Sequence, residues 1–319
     1  MESPLVSIVC LCYNHERFVE EALLSVLNQT YSNIQIIVVD DCSTDNSVSI
    51  IKQVISGHSH KIHFLALKQN LGNCKAFNQG LALATGDFII DFATDDVMLP
   101  DRIEKQVRFF EKQKENVGVV FTDATYINEN GELIRNHYDY LFKKKLIDHV
   151  PRGNVFRDVL TTYFISSPTM MAKKQVLDTL HGYDEGLVYE DFDFWVRASR
   201  DFQFELLDEK TTKVRKSAAS MSTGWYRVGD KQLHSTYLVC LKAEKFCRDE
   251  QDRDALRWRA LYEFKQAVFS HNKIEAKLFA ELLKRLGKVP ISFFLIQTAS
   301  YFPLPWPWMR DKYHQLKYS

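Results

Sequence analysis

The stretch VSIVCLCYNHERFVEEALLSVLNQTYSNIQIIVVDD, residues 6–41, decides the fold class. The segment 5–12 is short and almost continuously apolar, which is typical of a strand buried on both faces. Apolar residues then recur at helical spacing over residues 16–29, so we expect a helix that covers one face of that strand. A second apolar strand, 34–39, follows, and a strand–helix–strand unit of this spacing indicates a parallel sheet.

The same alternation continues through the next part of the chain. Apolar strands are predicted at 62–67, 88–92 and 117–122, with a helix in each interval. The pattern is less regular over 124–160, where we expect irregular structure. The three lysines at 143–145 are interpreted as a solvated loop, with a binding patch as the alternative.

Length and composition bound the remaining possibilities. The 319 residues are enough for one α/β domain over 1–225, with a mostly parallel sheet flanked by helices, and a helical C-terminal extension over 226–319. The 41 basic residues balance 41 acidic ones, so no overall positive charge favours a nucleic-acid partner. The opening MESPLVSIV lacks the features of a signal peptide, so we expect a cytoplasmic protein. Its six cysteines are then expected to be reduced, with a zinc site as the minor alternative.

Acidic pairs follow two of the predicted strands and recur in a later segment. The pairs are Asp40 with Asp41, Asp95 with Asp96, and Glu190 with Asp191. In open α/β sheets ligands bind beyond the carboxyl ends of the strands, so we expect these pairs to converge on one crevice. Crowded carboxylates repel one another, and a hard divalent cation with oxygen ligands would relieve that repulsion.

Helix capping is the alternative explanation for aspartates at strand ends. Ser43 or Asp45 is expected to cap the helix that begins near residue 46, and one acceptor is sufficient for that purpose. Two consecutive carboxylates at two strand ends, Asp41 and Asp96 among them, exceed what capping needs. The chain has no G-x-G-x-x-G after its first strand and no G-x-x-x-x-G-K-[ST], which removes the main support for a dehydrogenase or a P-loop enzyme.

Four segments together resemble the family 2 glycosyltransferases, which have the GT-A fold. They are the opening stretch 6–41 together with CSTDNS, which follows it directly, NLGNCKAFNQGLALATGDFII, ATDDVMLPDRIEKQ, and SSPTMMAKKQVLDTLHGYDEGLVYEDFDFWVR. The resemblance covers residues 4–225. It implies that the domain 1–225 is a GT-A catalytic domain.

The resemblance implies roles for five residues. Tyr13 matches the aromatic residue that lies against the base of the donor nucleotide, and Asp41 matches the aspartate that hydrogen-bonds that base, usually uracil. Asp95 matches the carboxylate beside the ribose, and Asp96 matches the ligand of a divalent metal, Mn²⁺ or Mg²⁺, on the diphosphate. Asp191 matches the catalytic base, which takes the proton of the acceptor hydroxyl in an inverting transfer.

The chain departs from the family pattern at two positions near the expected diphosphate. Ala93 stands where many members carry an aspartate, which leaves one potential metal ligand fewer beside Asp96. Ser217 stands where many members have a histidine that binds metal or phosphate. Arg215 or Lys216 is then the alternative ligand for the diphosphate.

Residues close to Asp191 raise two further questions: which acid is the base, and whether two nearby aromatic residues bind the acceptor or belong to the core. Asp193 is a competing base, but two residues further along a helix it would point away from Asp191. Phe194 and Trp195 are available to stack on acceptor sugars, and at helical spacing they are at least equally expected in the core. Asp191 is therefore the preferred base, with the acceptor side over 165–195.

The resemblance implies an inverting glycosyltransferase that uses a nucleotide-diphosphate sugar, with UDP as the favoured nucleotide. The acceptor is expected to be a hydroxyl of a glycan or of a lipid-linked molecule in cell-surface polysaccharide synthesis. The Gln-x-x-Arg-Trp motif and membrane spans of processive members do not occur in the sequence, so a single addition is expected. A non-catalytic nucleotide-sugar-binding or scaffolding protein and a nucleotidyltransferase are the two alternatives.

The C-terminal tail combines apolar and basic residues. An apolar helical stripe over 274–286 is expected to pack on the catalytic domain. Residues 289–319 are apolar and aromatic, but Pro303, Pro305 and Pro307 leave no stretch long enough to span a membrane. Aromatic residues beside cations suit a membrane surface, so we expect peripheral contact with the inner face of the cell membrane through 289–319. Packing on the domain and a dimer contact are the alternatives.

Overall fold

The computed structural model describes residues 3–58, 62–217 and 226–300, together with residues 306, 308 and 312. Its strands are β1 (Val6–Cys12), β2 (Ile34–Asp40), β3 (Ile62–Ala66), β4 (Phe88–Ala93), β5 (Val97–Met98), β6 (Val117–Ile127), β7 (Leu133–Asn136), β8 (Met171–Lys173) and β9 (Gln203–Arg215). Its α-helices are α1 (Val19–Leu27), α2 (Ser47–Ser56), α3 (Asn73–Leu81), α4 (Arg102–Phe110), α5 (His137–Lys143), α6 (Phe156–Thr161), α7 (Lys174–Leu180), α8 (Asp191–Ala198), α9 (Lys231–Phe246), α10 (Glu250–Phe269), α11 (Lys273–Leu286) and α12 (Ile291–Ala299). A short 3₁₀ helix covers Ser167–Thr169.

The strands form one nine-stranded sheet in the order β3-β2-β1-β4-β8-β6-β9-β5, with β7 paired to β6. The first four strands in this order are parallel to one another, and β6 and β9 are parallel to each other. The short strands β8 and β5 run antiparallel to their neighbours. The predicted strands of the N-terminal half and the helices between them are confirmed, as is the mostly parallel sheet flanked by helices.

Helices cover both faces of the sheet, which explains the continuous apolar runs of its strands. In β1, Ile8 and Cys10 face a cluster formed with α1, α2 and α4. Val9 and Leu11 face the opposite cluster, which includes residues of α3, α6, α8 and α10. All six cysteines are free thiols, as expected, and burial raises the pKa of Cys10.

The region predicted to be irregular contains regular structure. β6 continues to Ile127, β7 forms a hairpin with it, and α5 and α6 follow. These elements are short, and β7 has three exposed residues among its four, so neither a helical nor an alternating apolar pattern marks them. The three-lysine run lies where α5 ends, at Lys143, and continues into the turn beyond it.

The C-terminal helices α9, α10 and α11 pack on one another, and α9 and α10 also pack on α8 and α6 of the preceding part of the chain. The apolar stripe of α11 is buried as predicted at Phe279, Leu282, Leu283 and Leu286, whereas Ile274 is 71% exposed. Within the described residues, no helix is long and apolar enough to cross a membrane. The expected boundary between residues 225 and 226 borders on residues 218–225, which lie outside the described residues, as does most of the tail after residue 300.

Gly86, just before β4, packs closely on the backbone of the chain at the start of β1. A Cβ at this position would lie 2.7 Å from the carbonyl oxygen of Leu5 and from the backbone nitrogen of Ser7. We expect Gly86→Ala to lower the free energy of unfolding by about 1–3 kcal/mol, because backbone must move. Gly57→Ala is the matched control, with its nearest atom at 3.7 Å and an expected change within about 0.5 kcal/mol. Urea denaturation measures both variants, and equal effects would contradict this packing.

Candidate active site

The turns after β1 and β2 are joined at one edge of the sheet. The backbone N–H of Asn14 donates to Oγ of Ser43 at 2.9 Å, and the N–H of Thr44 donates to Oδ1 of Asn14 at 2.8 Å. Tyr13 lies beside this junction, directly after β1, and is 45% exposed. The aromatic residue predicted to contact the nucleotide base therefore stands at an accessible rim of the sheet edge.

Two aspartates after β2 have local structural roles. Asp40 accepts the backbone N–H of Ser43 at 3.0 Å and also binds its hydroxyl. Asp45 accepts the N–H of Ser47 at 3.0 Å where α2 begins, so capping explains this residue. Asp41 is then the acid of the first pair that remains for a ligand.

Asp41 is buried, and its carboxylate binds the loop that leads into α3. One oxygen accepts the N–H of Leu71 at 2.7 Å, and the other accepts the N–H of Gly72 at 2.9 Å. Asn73 follows as the first residue of α3 and donates its side-chain amide to Glu190. The loop thus links the end of β2 to the acidic pair at the start of α8.

Asp96 is almost fully buried, and its partner comes from the end of β9. The backbone N–H of Arg215 donates to Oδ1 of Asp96 at 2.8 Å. Burial and the neighbouring Asp95 carboxylate raise the pKa of Asp96 well above its ordinary value, and the Arg215 N–H opposes them only in part. An additional cation beside this carboxyl would favour its ionised form.

The guanidinium of Arg215 joins three segments around the site. Its Nε donates to the carbonyl of Asp95 at 2.8 Å, and Nη1 donates to the carbonyls of Asn128 and Glu129, each at 3.2 Å. Its Nη2 donates to Glu21 on α1 at 2.6 Å. Because these contacts occupy the buried guanidinium, Arg215 has a structural role.

Lys216 lies among the site carboxylates. Burial lowers the pKa of its ammonium group, while the charges of Asp96, Asp95 and Asp191 oppose that effect. Its Nζ is also 4.8 Å from the centre of the Tyr126 ring. The charge of Lys216 is thus felt by the acids after β4 and by the acid at the start of α8.

Asp191 is the first residue of α8, and its carboxylate accepts two hydrogen bonds. The hydroxyl of Ser167 donates to Oδ2 at 3.0 Å, and the N–H of Phe192 donates to Oδ1 at 2.7 Å. Burial raises the pKa of Asp191, and these two bonds lower it. The positive end of the helix dipole also favours the ionised form. The carboxylate is thus oriented and stabilised as a proton acceptor.

The competing residues on α8 have structural partners. The oxygens of Asp193 accept hydrogen bonds from Nε of Arg197 and from Nζ of Lys242, each at 2.6 Å. Phe194 and Trp195 are each only 2% exposed. The two aromatic side chains therefore belong to the core, and Asp193 forms ion pairs that leave Asp191 as the base candidate.

Asp91, Glu190 and Asp191 form a half-buried group of carboxyls whose charges act on one another. Burial raises the pKa of Asp91 to about 7 and the pKa of Glu190 to about 8, and the charge of Asp191 raises both. Asp91 has a side-chain hydrogen bond with Tyr183, and Glu190 has one with Asn73, whereas Asp191 has a hydroxyl and a backbone N–H as donors. Near pH 7 Glu190 is therefore mostly protonated and Asp91 about half protonated, and Asp191 is the acid of the three whose donors favour an ionised carboxylate.

The donor set around Asp96 fits a hard divalent cation with few protein ligands. Within the described residues, no three His, Cys, Asp or Glu side chains are grouped in a way that could hold a metal. Ala93 supplies no ligand in the place of a third acid. Mg²⁺ and similar ions commonly take one or two carboxylates from the protein and further oxygens from phosphates and water. Asp96 suits such an ion when it is bound together with a diphosphate.

Three residues of this site, Asn73, Ser167 and Asp91, were not predicted from the sequence. Ser167 lies in the segment SSPTMM that resembles the family, but no role was assigned to it, and Asp91 lies inside a strand rather than after it. Asn73 had one usable signal, since it follows Gly72, whose positive φ of 84° marks a tight entry into α3.

Known proteins match this chain in sequence. The profile of the family described as Glycosyl transferase family 2 matches residues 7–178. An uncharacterised glycosyltransferase of Methanocaldococcus jannaschii is 32% identical over 243 residues, which are 75% of this chain and 79% of the relative. The chondroitin synthase of Pasteurella multocida is 27% identical over 207 residues, which are 65% of this chain and 20% of the relative.

Solved structures match the fold. TarS of S. aureus, in complex with UDP-GlcNAc, superposes with a TM-score of 0.66 at 17% identity, over 88% of this chain and 80% of that one. The mannosyltransferase PcManGT of Pyrobaculum calidifontis, in complex with GDP-Man and Mn²⁺, gives a TM-score of 0.60 at 16% identity, over 99% of this chain and 86% of that one. Both neighbours are GT-A transferases, which confirms the predicted GT-A fold.

Glu190 provides a test of the half-buried carboxyl group. Because its pKa is raised to about 8, its neutral form stabilises the fold fully below the ordinary glutamate pKa, and this contribution is lost as the pH rises through about 8. We expect Glu190→Gln to be more stable than the wild-type chain at about pH 9 by at least about 1 kcal/mol, with little difference at about pH 5.

Thermal unfolding across this pH range measures the effect. Glu111→Gln, at an exposed position where α4 ends, is the matched control and should show no pH-dependent gain. A gain for Glu190→Gln that is equal at both pH values would contradict burial as its cause.

Proposed function

The chain belongs to glycosyl transferase family 2, and on that premise we propose that it transfers one monosaccharide, with inversion, from a nucleotide-diphosphate sugar to an acceptor hydroxyl. The observation that carries the proposal is that Asp95 and Asp96 follow β4, with Asp96 bound by the backbone N–H of Arg215, and that Asp191 begins α8 with its carboxylate held by Ser167 and by the N–H of Phe192. A diphosphate beside the first two acids and a proton acceptor at the third are the two requirements of such a transfer.

The donor nucleotide is proposed to bind between Tyr13 and Asp41. A carboxylate can accept an N–H of uracil even when each oxygen already holds one backbone N–H, because its two oxygens offer about four acceptor positions. Tyr13 offers an exposed ring for stacking on the base. TarS in complex with UDP-GlcNAc supports a UDP-sugar, and PcManGT in complex with GDP-Man makes GDP the competing nucleotide.

The diphosphate is proposed to lie beside Asp95, Asp96 and Lys216. Asp95 would hydrogen-bond the ribose, and Asp96 would hold Mn²⁺ or Mg²⁺ against the diphosphate oxygens. The ion would neutralise the negative charge that develops on the leaving nucleoside diphosphate. Lys216 would bind the same oxygens from the side of β9, where the chain has Ser217 in place of a histidine.

Asp191 is proposed to act as the general base. The acceptor oxygen attacks the anomeric carbon from the side opposite the diphosphate, its proton passes to the Asp191 carboxylate, and the bond from the anomeric carbon to the diphosphate oxygen breaks. The hydrogen bonds from Ser167 and from the N–H of Phe192 hold the carboxylate for this transfer. Asp193 is excluded by its ion pairs with Arg197 and Lys242.

The acceptor is proposed to be a glycan or a lipid-linked molecule of cell-surface polysaccharide synthesis. The similarity to a chondroitin synthase supports a glycan acceptor. The catalytic domain over 1–225 and the helical extension over 226–319 remain the proposed division of the chain. The monosaccharide is proposed to be a hexose or an N-acetylhexosamine.

Asp191→Asn tests the proposed chemistry. We expect a loss of at least about 100-fold in kcat, since the amide cannot accept the proton, while the Kd for UDP stays within about threefold. A panel of UDP- and GDP-sugars with Mn²⁺, followed by thermal shift, selects the donor for this assay, and EDTA should weaken donor binding. Asp178→Asn, an exposed aspartate on α7, is the control. Turnover that survives Asp191→Asn would overturn the base assignment, and donor binding without turnover in the wild-type chain would favour a non-catalytic binding protein.

The start of the tail supports a membrane contact, which we propose at the inner face of the cell membrane. On α12, Ile291 and Leu295 lie one helical turn apart and are 78% and 65% exposed, with Phe294 exposed beside them. Lys284 and Lys288 are exposed just before this helix. An apolar helix face next to cations suits the surface of an anionic bilayer.

Substitution at the two most exposed positions of α12 tests this contact. We expect Ile291→Ser combined with Leu295→Ser to reduce flotation with anionic vesicles several-fold, because the apolar face is lost. Leu133→Ser with Ile134→Ser, two exposed apolar residues on β7, is the matched control and should float like the wild-type chain. Unchanged flotation of the α12 variant would favour packing or a dimer contact instead.

A further inference from the structure

Asp91 is a half-buried acid that the proposed transfer does not use. It lies inside β4, where Ile90 and Phe92 are fully buried on one face of the sheet. Asp91 occupies the opposite face, on which Ala93 is the next residue toward the site. A carboxyl within a strand and covered by apolar side chains is costly unless it has polar partners.

A small cavity lies between the carboxyl of Asp91 and Ser167, whose hydroxyl binds the proposed base Asp191. The cavity has a volume of about 20 Å³. Its polar lining residues are Asp91, Ser167 and Tyr183, and the other residues that line it are apolar. A cavity of this size holds one water molecule when two to four polar groups reach it. Asp91, Ser167 and Tyr183 are three such groups.

The direction of the hydrogen bonds follows from Ser167. Its single hydroxyl proton is donated to Oδ2 of Asp191 at 3.0 Å, so on the cavity side this hydroxyl can only accept. A water in the cavity would donate to Ser167 and interact with the carboxyl of Asp91 through its remaining groups. Tyr183 contacts Asp91 through a further side-chain hydrogen bond.

We propose that Asp91 is a positioning residue for Asp191, connected to it through one water in this cavity and the hydroxyl of Ser167. The connection holds the Ser167 hydroxyl in the rotamer that donates to Asp191. The inference rests on the proposed role of Asp191 as the base. It adds Asp91 as a residue that affects this base through the Ser167 hydroxyl and through its own charge.

The protonation of Asp91 changes within the range of an ordinary assay. Burial raises its pKa to about 7, and the titratable groups that act on it are Tyr183, Glu190, Asp191 and Cys74 on its own side of the sheet, and Cys10 of the neighbouring strand β1 on the other side. When Asp91 loses its proton, the added negative charge raises the proton affinity of Asp191. We therefore expect kcat of the wild-type chain to rise in a step near pH 7.

Asp91→Asn separates the charge from the hydrogen bond. The amide can still bind the water, so kcat at about pH 6 should stay within about threefold of the wild-type value, and the step near pH 7 should disappear. At about pH 8 the variant should then be slower than the wild-type chain by about threefold to tenfold. Asp87→Asn, at the start of the same strand, is the charge control and should keep the step.

Asp91→Leu and Ser167→Ala test the connection itself. Each is expected to lower kcat about tenfold with an unchanged KM for the donor, because the orientation of Asp191 is affected and donor binding is not. Since both variants break one chain of hydrogen bonds, the double variant should be no slower than the slower single variant. Multiplicative effects, or variants with the wild-type kcat and pH profile, would overturn the proposal.

Three further outcomes are decisive. If Asp91→Leu does not fold, the profile of Asp91→Asn decides alone, and retention of the step near pH 7 would overturn the proposal. If Asp191→Asn still turns over, the proposed base fails. If Asp191→Asn is inactive while the Asp91 and Ser167 variants behave like the wild-type chain, only the connection through the cavity fails.

Discussion

Carboxylates that meet in a buried crevice repel one another, and each must be hydrogen-bonded or neutralised. In this protein each acid has a different partner. Asp41 binds two backbone N–H groups, Asp191 binds a hydroxyl and an N–H, and Asp193 binds two cations. Asp96 has a backbone N–H, and its pKa is well above the ordinary value. A cation beside Asp96 would therefore favour the ionised form of this carboxyl.

The strand β9 supplies the partner of Asp96 from a distant part of the sequence. It pairs in parallel with β6 over most of its 13 residues and ends at Arg215. The backbone of Arg215 binds Asp96, its side chain joins α1 and the turn after β6 to the end of β4, and Lys216 follows within the crevice. Through β9, Asp96 has a partner that lies 119 residues further along the chain.

The N-terminal half of the fold and the positions of the strand-end acids are predictable from sequence. Strands buried on both faces have continuous apolar runs, and parallel strands end at the same edge, so the pattern of the strands alone places Asp41, Asp95 and Asp96 at that edge. β9 escapes such a prediction because the exposed charged residues 208–210 interrupt its apolar pattern. The contact of Asn73 with Glu190 joins residues 117 positions apart, and it depends on tertiary packing that no local pattern records.

The orientation of one carboxylate at the start of α8 is the centre of the proposed chemistry. A single base on the side opposite the diphosphate requires inversion at the anomeric carbon. Proton NMR of the sugar released from an α-linked UDP-sugar, with water as the acceptor and spectra recorded before mutarotation, measures this most directly. The β anomer is expected as the first product. A first product with the α configuration would contradict Asp191 as the base that faces the anomeric carbon.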